Sequence, residues 1–320
     1  MAGSPGGAGH SFLLLIFMKF IHYLLLGALV CSSGCIREGT GQDDCLFPLR
    51  LRFSYTYNRE DRDLLRDEVP TLSLRLFDSA TGAQVRARDL SVSELDPDGG
   101  YTWDVPTGNY TLVSWGGIEE RYSLAGPDAT LTAHRASLPA DGAEGTASHR
   151  REHLWHALTT DLRVDGSLSP VHDVDLRKIS NDVTLGITLA GGGAPTGPVE
   201  SYVTATNSAC DYSGHVPGDA PTLRYLPGED RTDPARLTHN YTTLALSRDD
   251  DSRLFLSYAG TPVYDGSLTG LIARQPDIVF DLDDNFRLDF ELTPDTDKGN
   301  MTVAVSVNSW RVTEYNVTLR

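Results

Sequence analysis

His149, His153 and His156 stand four and three residues apart, an arrangement that on a helix would turn three imidazoles to one side and offer them to a divalent metal. The surroundings argue otherwise. Arg150, Arg151 and Glu152 fill the gaps, and no His-Glu-x-x-His accompanies them. The three histidines are therefore expected on a strand or loop, without metal. Two aspartate runs, Asp249 to Asp251 and Asp281 to Asp284, carry enough charge to draw calcium but lack the spacing and glycine of an EF-hand loop. Turn residues in an acidic protein explain them more simply. There is no Gly-x-Ser-x-Gly elbow for a nucleophile and no glycine loop to cradle phosphate. Among 44 Asp and Glu residues, nothing singles out a carboxylate pair for glycosidase work. The chain is expected not to be an enzyme and to need no cofactor.

Cys35 has a different chemistry in prospect. Lys19, the apolar run Phe20 to Val30 and the small residues Ser32-Ser33-Gly34 lead into it. That is the layout of a bacterial lipoprotein signal, whose cysteine takes a diacylglycerol and an N-acyl chain such as palmitate. Counted from Met18, the apolar run is eleven residues, short of the ~20 that a spanning helix needs. Counted from Met1, Phe12 to Val30 is long enough, but Lys19 lies mid-span at a cost of about 2.5–3.5 kcal/mol. Met18 is accordingly the expected start, with residues 1–34 a signal segment, Cys35 the lipidation site and 35–46 a lipidated tether. Ser32 occupies a position more often held by Leu, and Cys31 follows the bulky Leu29-Val30, which suits cleavage less well.

Removing residues 1–34 removes one charge, that of Lys19, and takes the net charge from −17 to −18. So acidic a surface argues against nucleic acid, whose phosphates demand basic patches. It argues equally against a polybasic grip on anionic lipid, leaving membrane attachment to the acyl chains. Of the four cysteines, Cys45 and Cys210 lie beyond the signal, 165 residues apart; two separate thiols are expected rather than a bridge.

Positioning elements come next. Leu49, Leu51, Phe53, Tyr55 and Tyr57 alternate with polar residues, the period of a strand with one buried face. Residues 58–69 allow at most a short helical turn before Leu72, Leu74 and Leu76 resume the alternation. Tyr110 to Trp115 follows a turn at Pro106 to Asn109, and Val183, Leu185, Ile187 and Leu189 alternate again. Ile278 to Leu282 and Phe286 to Leu292 flank Asp283-Asp284-Asn285, which predicts a hairpin with one wet face. No helix of three turns has a convincing apolar stripe. Strands at close spacing with turn residues between them predict an all-β sandwich architecture. Loops are expected at 126–149, 191–198 and 214–234, and the stretch 165–173 is the expected boundary between two strand-rich halves.

At the C-terminus, Met301, Val303, Val305 and Val307 alternate with polar residues, and a last segment carries Tyr315, Val317 and Leu319 on one face. A closing hairpin accounts for this pattern. The functional alternative is a strand that engages a partner by strand addition through Tyr315, Val317 and Leu319, with main-chain hydrogen bonds giving affinity and side chains giving register.

Read together, several runs resemble the FimB-type fimbrial anchor subunits of Bacteroidales: Cys35-Ile-Arg-Glu with Asp43-Asp44-Cys45, Leu51-Arg-Phe-Ser-Tyr-Thr-Tyr-Asn58, and Glu68-Val69 with Leu74-Arg-Leu-Phe-Asp78. Pro106 to Gly117, His153-Leu-Trp-His156 and Asn308-Ser-Trp-Arg-Val312 are similar to later landmarks of that family in the same order; Pro70 departs from it. The resemblance implies two tandem transthyretin-like β-sandwich domains, 47–168 and 169–320, on an outer-membrane lipoprotein at the base of a fimbrium. It implies a fimbrial shaft subunit as partner, a role in cell adhesion and control of fimbrial length, and no catalysis. The alternative function is a glycan-binding surface lipoprotein of a polysaccharide uptake system, using Trp115, Trp155 or Trp310.

Overall fold

Leu49, Leu51 and Phe53 are buried and the residues between them exposed, because successive side chains of a strand leave on opposite faces. They belong to β1 (Phe47–Ser54) of a computed structural model that describes residues 45–141, 145–167 and 170–319. Ten further strands follow up to Lys178: β2 (Thr71–Asp78), β3 (Gln84–Ser91), β4 (Gly100–Val105), β5 (Gly108–Gly116), β6 (Ser123–Leu124), β7 (Arg135–Ser137), β8 (Thr146–Ala147), β9 (Trp155–Val164), β10 (Val171–Asp175) and β11 (Arg177–Lys178). The remainder holds β12 (Ser180–Leu189), β13 (Val199–Ala205), β14 (Ala209–Asp211), β15 (Leu223–Tyr225), β16 (Gly228–Asp230) and β17 (Leu237–Leu244). It ends with β18 (Arg253–Tyr258), β19 (Thr261–Ser267), β20 (Asn285–Asp295), β21 (Asn300–Val307) and β22 (Trp310–Thr318). Among the described residues helix is confined to single turns, α1 (Leu65–Glu68), α2 (Leu268–Ile272) and two 3-10 turns at Val92–Glu94 and Leu131–Ala133.

Two pairs of sheets enclose two cores. A three-stranded sheet, β10-β1-β4, and a five-stranded one, β11-β9-β5-β2-β3, share a core built on Leu51, Phe53, Leu74, Leu112 and Leu162. A six-stranded sheet, β16-β17-β12-β20-β21-β22, and a five-stranded one, β19-β18-β13-β15-β8, enclose the second, which gathers Leu185, Phe286, Phe290, Val203 and Leu256. A small third sheet, β14-β7-β6, links them. Each fully buried large side chain contributes about 1.5–3 kcal/mol. On β20, Phe286, Leu288, Phe290 and Leu292 are all fully buried while Arg287 and Glu291 face water.

The stretch expected as a boundary, 165–173, lies between β9 and the middle of β10, and β10 still runs parallel to β1 in the first pair of sheets. β11 likewise pairs with β9. β8 already pairs with β15 in the second pair, and the chain leaves the first pair for good between Lys178 and Ser180. Loop composition marks a turn without saying which sheet the next strand will join. The segments expected as loops at 126–149 and 214–234 contain β7, β8, β15 and β16, strands too short to show a period.

The hairpin expected across Asp283 to Asn285 does not form. Residues 278–282 are turn, not strand: the amides of Leu282 and Asp283 both return to the Val279 carbonyl, at 2.9 and 2.7 Å. The Asp283 carboxylate accepts from Val279 N at 2.7 Å, and Arg59 holds it by two bonds of 2.8 Å. β20 instead runs parallel to β12 and antiparallel to β21. The C-terminal hairpin does form, from β21 and β22.

β5 abandons alternation. From Tyr110 to Gly116 every residue is buried, since Leu112 faces the first core while Val113 and Trp115 face the second. A strand covered on both faces reads as a continuous apolar run. Where it ends, Gly117 takes φ +75°, and a Cβ there would lie 2.3 Å from the His153 carbonyl oxygen. Gly117→Ala is expected to cost about 2–4 kcal/mol from the left-handed backbone and the clash together, visible as a lowered urea midpoint.

Candidate functional site

β22 forms one edge of the six-stranded sheet, with β21 as its hydrogen-bonded neighbour. Val317 lies opposite Met301 and Tyr315 opposite Val303. Leu319 N–H donates to Gly299 O at 3.0 Å. The alternation of an antiparallel ladder then turns the amides of Val317 and Tyr315 toward β21, and those of Glu314, Asn316 and Thr318 toward the open side. Tyr315, Val317 and Leu319 are half-buried against the second core. The Tyr315 hydroxyl donates to Val263 O on β19 at 2.8 Å, and burial pushes its phenol pKa up. The opposite sheet presents β19 as its edge, blunted by Pro262 and by a register shift at Leu256/Ser257. β22 is longer and lacks proline, and its own register shift, at Val305/Ser306, leaves the ladder from Thr313 to Thr318 continuous, so it is the more receptive of the two. At its start Trp310 is 57% exposed.

Cys35, the expected lipid site, lies outside the described residues. Cys210 is a free buried thiol, and burial pushes its pKa up to about 12.

The histidine trio diverges. His149 to Leu154 is extended chain and His156 lies on β9, so helical spacing does not apply. His153 Nδ1 meets Ser180 Oγ at 3.3 Å and its Nε2 lies 3.4 Å from Asp182. His156 Nε2 donates to Tyr212 O at 3.0 Å. Asp250 accepts from Ser247 N at 2.7 Å and Ser252 N at 3.0 Å, and Asp251 from Thr206 N at 3.0 Å, the expected work of turn carboxylates. Among the described residues no three His, Cys, Asp or Glu side chains converge as metal ligands.

One buried network has the order of groups found in a serine hydrolase. Ser201 hydrogen-bonds His239 Nδ1 and the Tyr241 hydroxyl, and His239 Nε2 lies 3.7 Å from Glu229. Ser201 and His239 are 5% and 2% exposed, packed inside the second core. A nucleophile there has no route to a substrate carbonyl, and the network serves to satisfy polar groups between β13 and β17.

A cleft of ≈ 670 Å³ opens between β9 and β11 on one side and the loops around 206–216 and 245–251 on the other. Leu158, Arg177, His215 and Asp281 are among its lining residues. Its deeper polar groups are already engaged: Asn207 Nδ2 donates to Leu244 O at 2.9 Å, its Oδ1 accepts the Tyr225 hydroxyl at 2.7 Å, and Lys178 pairs with Asp284 at 2.9 Å. Spacing in the sequence did not reveal the cleft, nor the ring stack that one of its lining residues, His156, joins. There Trp115 donates from Nε1 to His134 Nε2 at 3.1 Å and lies 4.6 Å from the His156 ring.

A family model described as fimbrillin-A associated anchor proteins Mfa1 and Mfa2 matches residues 42–316. The chain belongs to this family. It is thus a fimbria-associated protein of the cell surface, in a structural rather than an enzymatic class. No curated protein matches it. Solved structures share the fold. The fimbrial anchor protein Mfa2 from Porphyromonas gingivalis is 19% identical with a TM-score of 0.69, over 85% of this chain and 100% of that one. A Bacteroides thetaiotaomicron protein described as a candidate polysaccharide binder is 20% identical with a TM-score of 0.71, over 86% and 99%. A candidate adhesin from Bacteroides ovatus is 17% identical with a TM-score of 0.69, over 83% and 95%. Of the tryptophans expected to stack on glycan, Trp115 and Trp155 are buried at 0% and 2% exposure and present no face to a sugar.

Proposed function

We propose that this anchor-family chain holds a fimbrial shaft to the outer membrane, tethered by acyl chains on Cys35 and joined to a shaft subunit along the edge of β22. Through that joint it takes part in assembly and sets fimbrial length. The two pairs of sheets act as tandem domains, one next to the tether and one carrying the joint. The observation that carries the reading is β22 itself: an edge strand of nine residues whose outward amides at Glu314, Asn316 and Thr318 have no strand beside them in the sheet. An extended segment laid there would gain main-chain hydrogen bonds, with the half-buried Tyr315, Val317 and Leu319 setting its register against the core rim. β22 is engaged in its own sheet, which favours an acceptor edge over a donated strand.

The tether is tested with labelled palmitate. Wild-type protein is expected to take up label and sediment with outer membrane, and Cys35→Ala to lose both. Equal labelling of the variant would sink the lipid reading. Glycan binding through the exposed Trp310 is the second reading, favoured by that exposure and by the polysaccharide-binding description of the Bacteroides thetaiotaomicron relative. Retention on a glycan affinity gel, abolished by Trp310→Ala, would support it.

A further inference from the structure

The seam between the two cores is closed by three rings. Trp115 comes from β5, His156 from β9, and His134 from the residue just before β7. Trp115 Nε1 is a donor only, so the 3.1 Å bond makes His134 Nε2 the acceptor and places the ring's proton on Nδ1, which meets no acceptor among the described residues. Phe77 closes on the same imidazole, with ring centres 5.3 Å apart. On the other side, His156 Nε2 donates to Tyr212 O in the loop after β14, leaving Nδ1 bare against Gly214. A methyl carbon at Gly214 would lie 2.4 Å from that nitrogen, so the contact is already closed. These bonds fasten the small sheet, β14-β7-β6, and the loop after it to the back of the first pair of sheets.

We infer that this stack is an acid-released latch, which holds the seam shut only while His134 is neutral. A proton on His134 Nε2 would set N–H against the indole N–H, replace a hydrogen bond with repulsion and leave a buried cation with neither N–H accepted. The charged neighbours reinforce this. Arg75 on β2, itself paired with Asp89 at 2.8 Å, disfavours a cation at His134, as does His156. At His156 the Tyr212 carbonyl, and then Asp211, favour a cation, and His215 opposes it. Burial outweighs them and holds both imidazoles down from the ordinary 6.5 to about 4. Between those values the folded protein binds fewer protons than the unfolded chain. The latch is therefore fully engaged above pH 6.5 and loses its hold as pH falls toward 4.

Cys210 reports on the seam, since it is buried on β14 directly opposite Ala136 of β7. The experiment is labelling of Cys210 with 4,4′-dithiodipyridine, read by peptide mass in the full chain at pH 7.5 and pH 5, with far-ultraviolet circular dichroism alongside. Relative to the urea-unfolded chain labelled at the same pH, which cancels the fall in intrinsic thiol reactivity on acidification, labelling is expected to rise roughly tenfold at pH 5, the ratio that corresponds to one decade in the opening equilibrium, while the strand signal persists. His134→Gln keeps an acceptor for Trp115 but cannot take the proton, and is expected to suppress the rise. A Cys210 that stays protected until the strand signal is lost would overturn the latch. So would a folded His134→Gln variant that opens as wild type does. If that variant fails to fold, the wild-type labelling still decides.

Discussion

Trp115→Ala is expected to lower the unfolding free energy by about 4 kcal/mol or more, toward the top of the range for deleting a buried aromatic. The ring is fully buried and lies at the junction of both cores. His134 and His156 flank it. Truncation therefore leaves a cavity and removes the donor that satisfies His134 Nε2, so two penalties act together. Trp115→Phe separates them. It retains most of the volume, loses the N–H, and should cost about 1–3 kcal/mol. Urea unfolding at pH 7.5 measures both. A loss below about 1 kcal/mol for Trp115→Ala would mean that the seam is not part of the cooperative unit.

Glu314→Pro is the sharpest test of the β22 joint. Its amide points to the open side, so proline there removes no hydrogen bond to β21, and the exposed Arg311–Glu314 pair it deletes contributes little. The fold should lose about 1 kcal/mol or less. A strand added at β22 would lose a main-chain bond and meet the ring, costing about 1.5–3 kcal/mol and weakening the joint roughly tenfold or more. Cells carrying this variant are expected to display the anchor at normal levels and shed more fimbriae. Val317→Pro is the contrast, since it breaks the bond to β21 and should damage the fold itself. Normal fimbrial retention with Glu314→Pro, at unchanged anchor levels, would remove β22 from the joint.

Alternation was enough to place β1, β2, β12, β20, β21 and β22, because period two states which side chains share a face. It could not state neighbours. Nothing in Tyr315, Val317 and Leu319 says that their strand is an edge, or that Tyr315 will reach Val263. The segment Ile278 to Leu282 misled because its apolar residues pack beside Arg248 and Phe286 from a turn, which Asp283 closes by accepting the Val279 amide. The small sheet was invisible because strands of two or three residues have no period. The His134–Trp115–His156 stack was equally hidden. Its partners are brought together across 19 residues between Trp115 and His134 and 56 between His156 and Tyr212, separations that a local pattern does not span. The spacing of His156 to His149 and His153 is incidental, and no local pattern marks His134.

β1 is the middle strand of its sheet, parallel to β10 on one side and antiparallel to β4 on the other. This has a mechanical consequence. A pull on the residues preceding Phe47 acts along the strand, so it loads both ladders in shear, where many bonds must slip together. An edge strand pulled from its end would instead peel, one bond at a time. Resistance to force is set by the rate of unfolding rather than by equilibrium stability. The entry to the fold at Phe47 is thus arranged to resist a pull along β1.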